Sequence, residues 1–138
     1  MRLVLDTNTA LSGLLWQGTP GKLIDAAKRQ AVDLFSSTPL LAELQGVMMR
    51  EKFAKALAVR GLQVDMLFEG YAALVQLVVP ATISPTILRD PTDDAVLACA
   101  LAAQADLIVS GDHHLLDLHS YKSIPIVSPA MAVLQAGC

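Results

Sequence analysis

The apolar residues of this chain gather into two kinds of run. Short blocks rich in Val, Ile and Leu, without alternating polar positions, occur at Leu3-Val4-Leu5 and Leu107-Ile108-Val109. Such blocks read as strands buried on both faces, the habit of a parallel sheet covered by helices. Strands are predicted over Arg2 to Leu5, Val32 to Ser36, Leu77 to Val79, Leu107 to Val109 and Ile124 to Val127. The intervening residues carry helical signals. Thr19-Pro20, Thr38-Pro39, Asp90-Pro91 and Ser128-Pro129 each place a capping oxygen before a proline suited to the first helical position. A short helix is expected from about Asn8 and a helical region from about Lys52 to Val75. The alternation of strand and helix predicts a three-layer α/β/α sandwich with a central parallel β-sheet, built as one domain over residues 1–138.

The first and fourth strands end on acids, in Leu5-Asp6-Thr7-Asn8 and Val109-Ser110-Gly111-Asp112. Ligands of doubly wound sheets sit at the carboxyl ends of the strands, so Asp6 and Asp112 are expected in one crevice. Two helical acids join them. Glu43 lies between Leu41 and Leu44, one turn before Val47, on or beside a buried face. Asp94 opens the apolar stretch Ala95 to Ala103 and shares a helical face with Leu97, Ala98 and Leu101. Its neighbours have simpler roles. Asp90 reads as an N-cap, and Asp93 as an acid in the first turn complementing the helix dipole.

Converging carboxylates repel one another and lose hydration unless a cation joins them. Asp6, Glu43, Asp94 and Asp112 therefore form a candidate metal-binding and catalytic quartet, with Asn8 and Ser110 orienting it through hydrogen bonds. Oxygen donors without thiolates favour Mg²⁺ or Mn²⁺ over Zn²⁺. Such a centre suits phosphodiester hydrolysis. His113 and His114 lack the spacing of a zinc site and are expected at the border of the crevice, where His114 can approach a substrate.

Composition narrows the alternatives. Hydrophobic residues make up 54 % of the 138 and charged residues 17 %, which excludes a disordered chain. With aromatics at 4 %, a platform of stacked bases is not expected. The net charge of −3 creates no global attraction for nucleic acid. Locally, Arg50, Lys52, Lys55 and Arg60 crowd one helical stretch; this is a solvated face unless a metal site lies nearby, when Arg50, Lys52 and Lys55 become candidates for binding substrate phosphates. Two cysteines, one within an apolar helix and one at the last position, predict no structural disulfide and a cytoplasmic protein with no membrane segment. Phosphate-loop, nucleophile-elbow and dinucleotide fingerprints are absent.

The order of Leu5-Asp6-Thr7-Asn8, Leu40-Leu41-Ala42-Glu43-Leu44 with Lys52-Phe53, Arg89-Asp90-Pro91-Thr92-Asp93-Asp94 and Ala105-Asp106-Leu107-Ile108-Val109-Ser110-Gly111-Asp112 resembles PIN-domain nucleases, in particular the toxins of toxin–antitoxin pairs. That resemblance spans the chain. It implies a metal-dependent endoribonuclease with Asp6, Glu43, Asp94 and Asp112 as its acidic quartet, a homodimer, and an antitoxin partner. Where relatives often carry a further Asp, this chain has His114. Two other readings start from the same residues. A haloacid-dehalogenase-like phosphatase needs a second Asp two positions after the first, where Asn8 stands. An inactive PIN-like scaffold would have no need of four acids.

Overall fold

The computed structural model describes residues 1–86 and 91–138. A six-stranded sheet runs in the order β3-β2-β1-β4-β6-β5. Its strands are β1 (Arg2–Leu5), β2 (Asp33–Ser36), β3 (Gln76–Leu77), β4 (Leu107–Val109), β5 (Ser120–Tyr121) and β6 (Ile124–Val127). All neighbours are parallel except β5, which pairs antiparallel with β6. The edge strand β5 is not among the predicted strands, since two residues are too short to show a period, whereas β6 matches its predicted bounds. Register aligns Leu3 with Leu34 on one side and Leu107 on the other.

The period of two sorts the strand residues onto two faces. Leu3, Leu5, Leu34, Leu107 and Val109 pack with α1 (Thr7–Leu15), α2 (Gly18–Lys28), α3 (Thr38–Met48), α4 (Glu51–Val59), α5 (Val64–Leu74) and α8 (Pro129–Ala136). Val4, Phe35, Ile108 and Ile126 face the other way, against α6 (Pro91–Ala103) and α7 (His113–Leu116). The result is the expected three-layer α/β/α arrangement around a mostly parallel sheet. Among the described residues no helix is long and apolar enough to cross a membrane, and Cys99 and Cys138 are free thiols.

Several boundaries differ from the sequence reading for local reasons. The helical region after Lys52 is two helices, broken at Gly61, whose φ of +72° follows the end of α4. Leu62 N–H bonds back to Leu57 O at 2.9 Å and closes that turn, a conformation in which glycine carries no Cβ penalty. Ser37, not Thr38, caps α3, its Oγ accepting from Leu40 N–H. The second helix starts at Gly18 behind Gln17, so Thr19 lies within it and is not its cap. Ser128 caps α8 as expected, accepting from Met131 N–H. The predicted cap Asp90 lies outside the described residues.

Candidate metal centre

The chain leaves β1 toward β2 on one side and returns as β4 on the other, so a crevice opens where the order reverses. Asp6 stands there. Its backbone N–H donates to Val109 O at 3.1 Å, extending the β1–β4 ladder by one bond. The side chain is buried and doubly held: Oδ1 accepts from Thr9 N–H at 2.8 Å, capping α1, and Oδ2 accepts from Ser110 Oγ at 2.5 Å. Ser110 Oγ in turn accepts from Asp112 N–H at 2.9 Å. One hydroxyl thus ties the two strand-end acids together. Asp112 caps α7, its Oδ1 accepting from His114 N–H at 2.9 Å. Capping and ligation are compatible roles, because two carboxylate oxygens offer about four acceptor sites and a cap occupies one of them.

The crevice, a cavity of about 40 Å³, is lined by Asp6, Thr7, Asn8, Glu43, Thr92, Asp93, Val96 and Asp112. Three of the four proposed acids meet in it, and the fourth does not. Asp94 is half-exposed and its two oxygens accept from Thr86 N–H at 3.3 and 3.1 Å, which turns it toward the loop before α6. Its place is taken by Asp93, only 6 % exposed. The structure thus brings Asp93, and not the expected Asp94, to the crevice. The reason is helical phase: Asp93 shares its stripe with Val96, Leu97 and Ala100, all buried, whereas the Asp94 stripe, buried at Leu97 and Ala98, comes back out to half-exposed Leu101. With apolar residues nearly all round α6, the sequence left that phase undetermined. The first-turn position of Asp93 also allows it to complement the helix dipole.

Glu43 reaches the crevice from α3, half-buried beside Leu40, Leu41 and Leu44, as its position between apolar neighbours predicted. Asn8 is exposed at the mouth, shared with a larger cavity of about 520 Å³ that also takes in Ser12, Gly111 and His113. Thr7, also in the lining, has a buried Oγ1 with no hydrogen-bond partner among the described residues. His114 borders the acids, its Nδ1 3.8 Å from Asp112 Oδ1 and 4.0 Å from Asp93 Oδ2. Arg50, Lys52 and Lys55 are exposed and line no part of the crevice. Lys55 Nζ pairs with Glu51 Oε1 at 2.9 Å, and Lys52 Nζ lies over the Phe53 ring.

These residues fit a divalent cation. Two buried and two partly buried carboxylates share a small cavity whose described lining holds no Lys or Arg, and an orphaned hydroxyl faces the same space. Oxygen donors of that kind suit hard ions.

Below the crevice, Tyr71 and Cys99 are buried. Burial holds the Tyr71 phenol above its ordinary range, reinforced by Cys99 once its thiol has ionised and by the Asp6 carboxylate. Burial pushes the Cys99 thiol up to about 11 against an opposing hydrogen bond with Ser37.

Comparison with known proteins accords with this architecture. No curated protein matches the sequence. The chain is similar in structure to VapBC2 from Rickettsia felis, solved as a crystal structure bound to a DNA fragment from their promoter, with a TM-score of 0.60 and 15 % identity over 93 % of this chain and 98 % of that one. At such identity the likeness concerns the fold. The family model described as PIN domain matches residues 2–114, the stretch that carries Asp6, Glu43, Asp93 and Asp112, and by that match the chain belongs to the PIN-domain family.

Proposed function

We propose that this chain is a metal-dependent endoribonuclease, a single domain over residues 1–138 that hydrolyses RNA phosphodiester bonds in the cytoplasm. The observation that carries this reading is the meeting of Asp6, Glu43, Asp93 and Asp112 in one crevice at the carboxyl edge of a parallel sheet. These four side chains would hold Mg²⁺ or Mn²⁺. When bound, the ion supplies charge neutralisation at the scissile phosphate and acidifies water.

The chain's own residues do the rest. Thr9 N–H and Ser110 Oγ lock the Asp6 carboxylate in one orientation, so no reorganisation is needed when substrate arrives. Asn8, at the junction of crevice and larger cavity, offers its amide to a phosphate oxygen. The 520 Å³ cavity takes the neighbouring nucleotide. Glu43, half-buried at the margin, is placed to accept the proton of the attacking water. Arg50 and Lys52 remain candidates for the RNA backbone beyond the crevice, with Lys55 weakened in that role by its pairing with Glu51.

A toxin role with an antitoxin partner is supported by the resemblance in the four motifs from Leu5 to Asp112 and by the fold shared with VapBC2, and a homodimer is implied by that resemblance alone. The test is cleavage of single-stranded and structured RNA by the purified chain in Mg²⁺ and in Mn²⁺, with and without chelator. Cleavage that chelator abolishes and added ion restores is expected; metal-independent cleavage, or none with any divalent ion, would sink the reading and favour a scaffold.

A further inference from the structure

The mechanism above leaves His114 unused. It is the second residue of α7, and its backbone N–H anchors it to Asp112 Oδ1 at 2.9 Å. The ring folds back over that cap, with Nδ1 3.8 Å from Asp112 Oδ1 and 4.0 Å from Asp93 Oδ2. Those separations are too long for hydrogen bonds. An imidazolium merely paired with two carboxylates would close to about 2.7–2.9 Å on one of them. Donors sharing one cation at about 2.0–2.2 Å each stand roughly 3–4.4 Å from one another, which is the spacing found here. One ligand atom each from Asp93, Asp112 and His114 lies within 4.8 Å of the other two.

The geometry points to His114 as a nitrogen ligand of the acidic centre, making it a mixed nitrogen–oxygen site that selects Mn²⁺ over Mg²⁺. This rests on the metal-dependent reading above. Mg²⁺ holds to oxygen donors and parts with its waters reluctantly, so an imidazole adds little to its binding. Divalent transition ions accept imidazole, and among them Mn²⁺ is also served by the carboxylates that make up the remaining donors. His113, one position earlier, lines the larger cavity and not the crevice, and serves as the control.

The experiment loads the full chain with Mn²⁺ and reads ¹⁴N coupling by pulsed EPR, with Mn²⁺ and Mg²⁺ titrated by calorimetry. Directly coordinated nitrogen is expected in the wild type and in His113→Ala, and is expected to vanish in His114→Ala. In His114→Ala, Mn²⁺ affinity falls about tenfold or more while Mg²⁺ affinity holds. His114→Asp restores an oxygen donor, abolishes the nitrogen signal and raises Mg²⁺ affinity. Absence of ¹⁴N coupling in the wild type, its survival in His114→Ala, or an equal fall for both ions would overturn the assignment. RNA cleavage on the same samples separates the two readings: coupling without cleavage refutes the nuclease and keeps the ligand, and cleavage without coupling does the reverse. A chain that binds neither ion refutes both.

Discussion

Asp6 and Asp112 reach the crevice from strand ends, whereas Glu43 and Asp93 reach it from helices, and the two pairs are held by different forces. Each strand-end acid is pinned by backbone: Asp6 caps α1, Asp112 caps α7, and Ser110 bridges them. Their positions follow from the parallel ladder and the hydrogen bonds at its carboxyl end. The helix-borne acids are aimed by the rotation of whole helices against the sheet, through Leu40, Leu41 and Leu44 in α3 and through Val96, Leu97 and Ala100 in α6. The difference teaches that one crevice can be built half from local hydrogen bonds and half from tertiary packing. The strand-end acids carry structural work as well as charge.

The largest effect that can break this comparison lies in α6. Asp93→Asn is expected to lower metal-dependent RNA cleavage by on the order of 10²–10³-fold, as loss of one electrostatic contact in a preorganised site does. Asp94→Asn should stay within a few-fold of the wild type, because its carboxylate faces the Thr86 N–H and not the crevice. Paired single-turnover assays decide between them. An inactive Asp94→Asn beside an active Asp93→Asn would make Asp94 the fourth acid of the centre and refute the role given to Asp93.

A smaller effect sharpens the structural half. Asp6→Ala and Asp112→Ala each lose a helix cap, and each should cost about 1 kcal/mol of stability, in addition to losing activity. Glu43→Ala should lose activity with stability changed by about 0.5 kcal/mol or less, since it gives up repulsion and no cap. Urea titrations of the three variants check the contrast, which collapses if Glu43→Ala is the least stable of them.

The smallest effect concerns the buried groups beneath the crevice. Tyr71 and Cys99 both hold their protons more tightly in the folded chain than in the unfolded one. The stability they contribute is complete below pH 9, the ordinary thiol value; the Cys99 part is lost as pH rises through about 11, and the Tyr71 part, whose ordinary value is 10.0, is lost only at higher pH still. Tyr71→Phe with Cys99→Ala should flatten the alkaline limb of the stability profile, measured by thermal melts at closely spaced pH values. An unchanged limb would place its origin elsewhere.

What the sequence determined by itself is whatever depends on neighbours along the chain. Unbroken apolar blocks ending in Asp6 and Asp112 implied a parallel sheet with acids at its carboxyl edge, and Glu43 was legible because Leu41 and Leu44 flank it. The cap at Ser128 was legible for the same reason. The tertiary structure alone decided which acid of α6 turns inward, because a helix apolar on nearly every side has no phase until Val4, Phe35 and Ile108 supply a surface to pack on. It also decided that the edge strand β5 pairs with β6, and that the His114 ring folds back between Asp93 and Asp112. Hydrophobic period and strand ends are written in the order of residues. The rotation of a uniformly apolar helix, and the reach of one ring across two elements, are set only when those elements meet.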